Sequence, residues 1–171
     1  LRLIGHECDA LHPFGAQLMH HLQWAHFAVM GLATEVGKLD VNERRKVIDW
    51  VGEDVARRVP LAVTVGEGSV AGQIAFVNAA KDAGADWCIL QPPAITGVPE
   101  SEYVRFLGGV AEKVDIPLAV QNAPGLMTTS LSNGALKTLN RAHPNVCLLK
   151  GEGPATYIKQ LMEDTDGAFD I

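Results

Sequence analysis

Short apolar runs alternate along this chain with longer amphipathic ones, and that alternation limits its possible folds more than any other feature. The runs Ala25 to Gly31, Leu61 to Val65, Trp87 to Gln91, Pro117 to Gln121, Val146 to Lys150 and Ala168 to Ile171 read as strands. Between them, Val41 to Arg58, Val70 to Ala83, Glu100 to Val114, Ser132 to Ala142 and Pro154 to Asp164 read as helices. Strand starts recur about every 30 residues, the length of one βαβ step, so the sheet is expected to be parallel. Boundary residues agree with this reading. Asp40 precedes a helix with Glu43 three residues on, a capping box, and Ser69 and Ser132 stand where N-caps belong. Gly84 follows a helix where a left-handed residue is needed, and Pro60, Pro117 and Pro144 fall near strand starts, where a missing N–H costs least.

Two architectures satisfy this pattern: a doubly wound open sheet and a (β/α)₈ barrel. A barrel typically needs about 250 residues, and this chain has 171, so length by itself favours the open sheet. With 47% hydrophobic and 20% charged residues, a single well-buried domain is expected. Fourteen basic residues against twenty acidic ones give a net charge of −6, which leaves no electropositive footprint for nucleic acid. No apolar run approaches the roughly 20 residues that span a bilayer. Cys8, Cys88 and Cys147 form an odd set without short spacing, and they read as buried reduced thiols of a cytoplasmic protein. The chain starts at Leu1 and lacks the succession of a signal peptide, so its original start is expected to be missing.

Residues 1–24 fit neither architecture and read as an atypical N-terminal segment. With His26 they account for five of the six histidines: His6, His12, His20, His21 and His26. His6 with Cys8 is the nearest approach to metal-ligand spacing. No acidic partner stands at a matching distance, so no metal site is assigned and the histidines read as surface and boundary residues.

Function in parallel α/β sheets collects at the carboxyl ends of the strands, and those ends are polar here. They carry Thr34 and Glu35, Gly66-Glu67-Gly68, Gln91-Pro92-Pro93, Gln121-Asn122-Ala123-Pro124, and Lys150-Gly151-Glu152-Gly153. The most unusual of these residues is Lys150, which ends the apolar run Val146-Cys147-Leu148-Leu149. Alternation leaves its direction open, because both sets of neighbours are apolar, as in a sheet covered on both faces. It is either a strand-end lysine that snorkels to water or pairs with Glu152, or a nucleophile. An amine among apolar neighbours attacks a ketone to give an iminium that draws electrons from the adjacent carbon.

From Gly31 to Gly153 the chain resembles the dihydrodipicolinate synthase / N-acetylneuraminate lyase family of class I aldolases. The family's Gly-Thr-Thr-Gly-Glu loop is similar to Gly31-Leu32-Ala33-Thr34-Glu35, followed by a similar helix opening at Leu39 and Glu43 to Ile48. Its Ala-Gly-Ala-Asp matches Ala83-Gly84-Ala85-Asp86, its Tyr-Asn-x-Pro resembles Gln121-Asn122-Ala123-Pro124, and its Schiff-base lysine falls on Lys150 after Pro144-Asn145-Val146.

The resemblance overrides the length argument. It implies a parallel (β/α)₈ TIM barrel, incomplete here at about six strands, with residues 25–171 carrying roughly the second to the seventh and 1–24 a remodelled first strand and helix. Six strands cannot close such a barrel, so the sequence is expected to be a fragment, with completion by another chain as the alternative.

The resemblance further implies a lyase in which Lys150 forms a Schiff base with a pyruvate-like 2-oxo acid. Aldol cleavage or condensation, or dehydration, would follow, with no cofactor beyond the covalent imine and a homo-oligomeric assembly. Gln121 would join Lys150 in catalysis by orienting the carbonyl. Leu32, Ala33, Thr34 and Glu35 would hold the substrate's far end, with Asn122 and Glu152 as further binding residues.

Gln121 replaces the family's proton-relaying tyrosine with an amide, which cannot act as an acid or base near neutral pH. Leu32 and Ala33 replace the paired threonines, leaving backbone N–H groups and Thr34. Leu126 stands near the synthase branch's arginine, and Ala94 near its second tyrosine. Synthesis of dihydrodipicolinate is therefore not expected. Glu35, Glu67 and Glu152 read either as solvated loop charges or, for one of them, as a proton carrier in place of the tyrosine. The alternatives are a non-catalytic relative that binds a small carbonyl or carboxylate ligand, and, more weakly, a metal-assisted enzyme using the amino-terminal histidines.

Overall fold

Residues 26–170 are described by the computed structural model, and within them the expected alternation forms one parallel sheet backed by helices. Residues 1–24, with Cys8, His6, His12, His20 and His21, lie outside the described residues. The strands are β1 (Phe27–Val29), β2 (Leu61–Val65), β3 (Trp87–Leu90), β4 (Leu118–Asn122) and β5 (Val146–Gly151). The helices are α1 (Val41–Val55), α2 (Val70–Asp82), α3 (Glu100–Ala111), α4 (Asn133–Ala142) and α5 (Ala155–Thr165). The sheet runs β1-β2-β3-β4-β5, every pair parallel.

That order decides between the two architectures. A doubly wound sheet reverses direction at a switch point, whereas here each strand adds beside the last, as in a barrel wall. The open sheet favoured by length is thus corrected. The expected sixth strand contributes a single parallel bridge, Leu148↔Asp170. The Asp170 amide donates to the Cys147 carbonyl at 3.1 Å and the Leu149 amide to the Asp170 carbonyl at 2.8 Å, continuing the order beyond β5.

Several local features follow from the residues that anticipated them. The Asp40 side chain accepts from the amides of Asn42 and Glu43 while Glu43 reaches back to the Asp40 amide, completing the capping box of α1. Two backbone hydrogen bonds to its exposed carboxylate hold the Asp40 pKa below the usual value. Ser69 and Ser132 cap α2 and α4. Gly84 adopts φ +99° at the end of α2, and Asp86 then accepts from the Leu61 amide at 2.8 Å, tying the start of β3 to β2. Asn145 donates to the carbonyls of Ala111 and Val114 beyond the end of α3. Helix α1 stops at Val55 rather than Arg58, because Ala56 and Arg57 turn left-handed.

Period-two alternation divides the sheet into two apolar faces. Leu61, Val63, Val65, Leu90, Leu118, Val120 and Leu149 pack into the large cluster shared with the helices. Helix α2 meets it with Phe76, Val77 and Ala80, α3 with Leu107 and Val110, and α4 with Leu136 and Leu139. Ala62, Ile89 and Ala119, joined by Trp87 and Leu148, form a separate cluster on the opposite, inner face. Cys88 is buried and free, and burial pushes its thiol up to about 12. Cys147 is disulfide-bonded, which corrects the reduced reading there.

Leu107 lies fully buried where α3 meets the sheet. Leu107→Ala should lower unfolding stability by about 2–5 kcal/mol in urea denaturation, through lost burial and the cavity it leaves.

Candidate active site

A break in regular pairing aims the lysine. Leu118 pairs with Val146 but Ala119 pairs with Leu148, so Cys147 is the extra residue of a bulge. Val146 therefore packs with the helices, while Leu148 joins the inner cluster. From there alternation turns Leu149 to the helices and Lys150 inward. Unbroken alternation would put Val146 and Leu148 on one face; the bulge separates them.

One register step beyond Leu90↔Val120, Gln91 stands beside Gln121, and Gln121 pairs in register with Lys150. These inward side chains form a continuous hydrogen-bonded row. The Gln91 Nε2 donates to Gln121 Oε1 at 2.8 Å. The Gln121 Nε2 in turn donates to Glu152 Oε1 at 2.9 Å. Lys150 Nζ donates to the same Glu152 oxygen in a short ion pair. Gln121 is fully buried, whereas Lys150 and Glu152 keep 31% and 28% of their side chains exposed, placing the pair at the mouth. Gly66 completes the row, since a Cβ there would come within 2.7 Å of Gln91 Oε1. Its lack of a side chain leaves room for the Gln91 amide.

The remaining expected residues take other places. Asn122 points to the helix face, where its amide donates to the Leu131 carbonyl at 2.9 Å and the Tyr157 hydroxyl at 3.0 Å. Its carbonyl accepts from the Leu131 amide at 2.8 Å, so Asn122 pins the loop after β4. Burial raises the Tyr157 pKa, partly offset by the Asn122 hydrogen bond. Glu67 pairs with Arg44 at 2.6 Å, and the Arg44 guanidinium lies 5.4 Å from the Phe76 ring centroid. Glu35 is exposed and bound to Lys38 at 2.5 Å.

After β1, Met30 adopts φ +62° and leads into the loop Gly31 to Glu35. Within that loop the Thr34 hydroxyl and amide both bond the Gly31 carbonyl. Leu32 is exposed, and no hydrogen bond among the described residues joins this loop to Lys150, Gln121 or Glu152.

Two residues of the site went unremarked in the sequence. Gln73 lies fully buried on α2, and its amide donates to the Glu67 carbonyl at 3.0 Å and the Gln91 carbonyl at 2.8 Å, clasping the loops after β2 and β3. Its signal was a polar residue on the apolar stripe with Phe76, Val77 and Ala80. Thr64, on the inner face of β2, buries a hydroxyl with no hydrogen-bond partner. No cluster of histidine, cysteine, aspartate and glutamate suited to a metal occurs among the described residues, and no helix there is long and apolar enough to cross a membrane.

A wall of sequential parallel strands with a lysine–carboxylate pair at its carboxyl mouth is the architecture of part of a TIM barrel. The profile of the dihydrodipicolinate synthetase family matches residues 25–171, and the chain belongs to that family. It is 30% identical over 136 residues to the 4-hydroxy-tetrahydrodipicolinate synthase of Methanosphaerula palustris, covering 79% of this chain and 46% of the relative. The corresponding synthase of Pseudomonas syringae pv. syringae is 28% identical, with coverage of 87% and 52%. Among solved structures, pyruvate-bound dihydrodipicolinate synthase from Acinetobacter baumannii superposes with a TM-score of 0.76 at 25% identity, covering 99% of this chain and 58% of that one. YagE of Escherichia coli K12, a prophage protein of the family also in complex with pyruvate, gives a TM-score of 0.77 at 24% identity, covering 90% and 53%. The chain thus spans about half the length of the curated relatives it matches, 46% and 52% for these two.

Asn122→Ala would strip two partners from the buried Leu131 backbone. It should destabilise the protein by about 2–4 kcal/mol in denaturant titration, since each unsatisfied group costs about 1–3 kcal/mol, and should speed amide exchange in the loop after β4.

Proposed function

We propose that this chain supplies the reactive lysine of a lyase that forms a Schiff base between Lys150 and a pyruvate-like 2-oxo acid. The imine then serves aldol cleavage or condensation, or loss of water. The observation that carries this reading is the inward turn of Lys150 at the carboxyl mouth, beside buried Gln121 and paired with Glu152. Membership of a family with pyruvate-bound members supports a small 2-oxo acid as the ligand class. The imine is itself the electron sink, so the reading needs no separate cofactor.

In this reading Lys150 attacks the ketone and Gln121 orients its oxygen. The loop of Leu32, Ala33, Thr34 and Glu35 closes on the substrate's far end, using backbone donors where side-chain hydroxyls are missing. Asn122 acts indirectly, by holding the loop after β4. Glu152 lies within reach of a bound oxo acid. The reading also places the protein in the cytoplasm, where such metabolites occur, as a homo-oligomer of the complete chain.

A second reading, a non-catalytic relative that binds a small carbonyl or carboxylate ligand, draws on one observation. The strand position beside the lysine holds a buried amide, Gln121, that cannot move protons. Borohydride reduction with pyruvate separates the two. On the catalytic reading, peptide mass spectrometry finds one reduced pyruvate on Lys150, and Lys150→Ala abolishes it. A folded protein that pyruvate stabilises thermally without forming any adduct would establish the binding reading.

A further inference from the structure

We infer that Glu152 is the proton carrier for imine formation on Lys150, a conclusion that rests on the Schiff-base reading above. Making an imine from an ammonium and a ketone requires one proton to leave nitrogen before attack and another to reach the departing oxygen. The group that moves them must titrate and must touch the reacting nitrogen. Among the described residues, Glu152 meets both conditions, with its Oε1 bonded directly to Lys150 Nζ.

The other titratable groups near the strand ends are committed elsewhere. Glu67 is held by Arg44 at 2.6 Å, and Glu35 by Lys38 on the surface at 2.5 Å. The Tyr157 hydroxyl lies on the helix face with Asn122, and its raised pKa keeps it protonated. Gln91 and Gln121 touch the site but cannot exchange protons near neutral pH.

The row of amides has a direction. Gln91 donates to Gln121, and Gln121 donates to Glu152, so each Gln121 amide atom is committed and its N–H₂ end faces the carboxylate. With Lys150 donating to the same oxygen, the pattern presents donors to an ionised Glu152. The resting state is therefore an ammonium beside a carboxylate, the form from which a carboxylate can act as base.

Glu152 takes one proton from the Lys150 ammonium. The neutral amine forms a C–N bond to the ketone carbon, and a proton passes from nitrogen to the former carbonyl oxygen, giving a carbinolamine. Glu152 then returns its proton to that hydroxyl, the C–O bond breaks, water leaves, and the nitrogen lone pair closes the iminium. The carboxylate ends ionised, as it began, and net charge is unchanged.

Timed borohydride trapping with pyruvate in the intact protein tests this, reading the Lys150 adduct by peptide mass spectrometry. Glu152→Gln keeps the size and hydrogen bonding of the side chain and should slow adduct formation by about 10²–10⁴-fold with an unchanged melting temperature. Glu152→Ala should be equally slow and should recover part of the rate in added formate. A parent that forms adduct and a Glu152→Gln variant that forms it equally fast would overturn the inference and leave the Schiff-base reading standing. Slowing without formate rescue would assign Glu152 to holding Lys150 in place and would also overturn it. No adduct in the parent would remove the Schiff-base reading, and this inference with it.

Discussion

The ion pair between Lys150 and Glu152 makes the end of β5 possible. A lysine following Val146, Leu148 and Leu149 enters a region where charge is poorly solvated, and an unpaired ammonium there would be costly. Glu152 stands two residues on, close enough to meet the Lys150 nitrogen across Gly151. Because both side chains keep about a third of their surface, 31% and 28%, the pair sits at the boundary between core and mouth. Burying it further would raise the desolvation penalty; exposing it fully would screen the attraction and free the lysine.

Everything that positions this pair follows from a parallel sheet buried on both faces. Apolar alternation is satisfied on the helix side by Val63, Leu90 and Val120 and on the inner side by Ala62, Ile89 and Ala119. Apart from Thr64, which lies in register with Ile89, the inward polar side chains stand at the strand ends, where Gln91, Gln121 and Lys150 form a row. The helices fix that row from behind. Gln73 clasps the loops after β2 and β3, and Asn122 with Tyr157 anchors the loop after β4, so backbone hydrogen bonds set where the amides point.

The strand and helix succession was legible because it depends on local residue patterns. The capping box at Asp40 and Glu43, the serine caps and the left-handed Gly84 all formed as their residue types require. Strand order was not legible from length, since a barrel wall and an open sheet share the same local alternation. Resemblance to the aldolase family supplied it. The direction of Lys150 was hidden for a different reason: a one-residue bulge at Cys147 changes which neighbours share its face, and no propensity marks a bulge among apolar residues. The three glutamates differ in the same respect. Lys38 and Lys150, the partners of Glu35 and Glu152, lie three and two residues away and within reach of a sequence reading, whereas Arg44 meets Glu67 only across elements.

Gln121 at this inward position involves more than one side chain, because an amide must place both its donor and its acceptor. A buried amide left with either end unmatched costs about 1–3 kcal/mol per group, so Gln121 requires partners on both sides. Gln91 meets its oxygen and Glu152 its nitrogen. Gln91 in turn needs open space at β2, which Gly66 leaves by having no side chain. The four residues therefore form a coupled set, in which the carboxylate at one end depends on a glycine three strands away. A hydroxyl relay could move protons along such a row. A row of amides fixes orientation without moving them, and the carboxylate of Glu152 is the one group in the row that can exchange a proton.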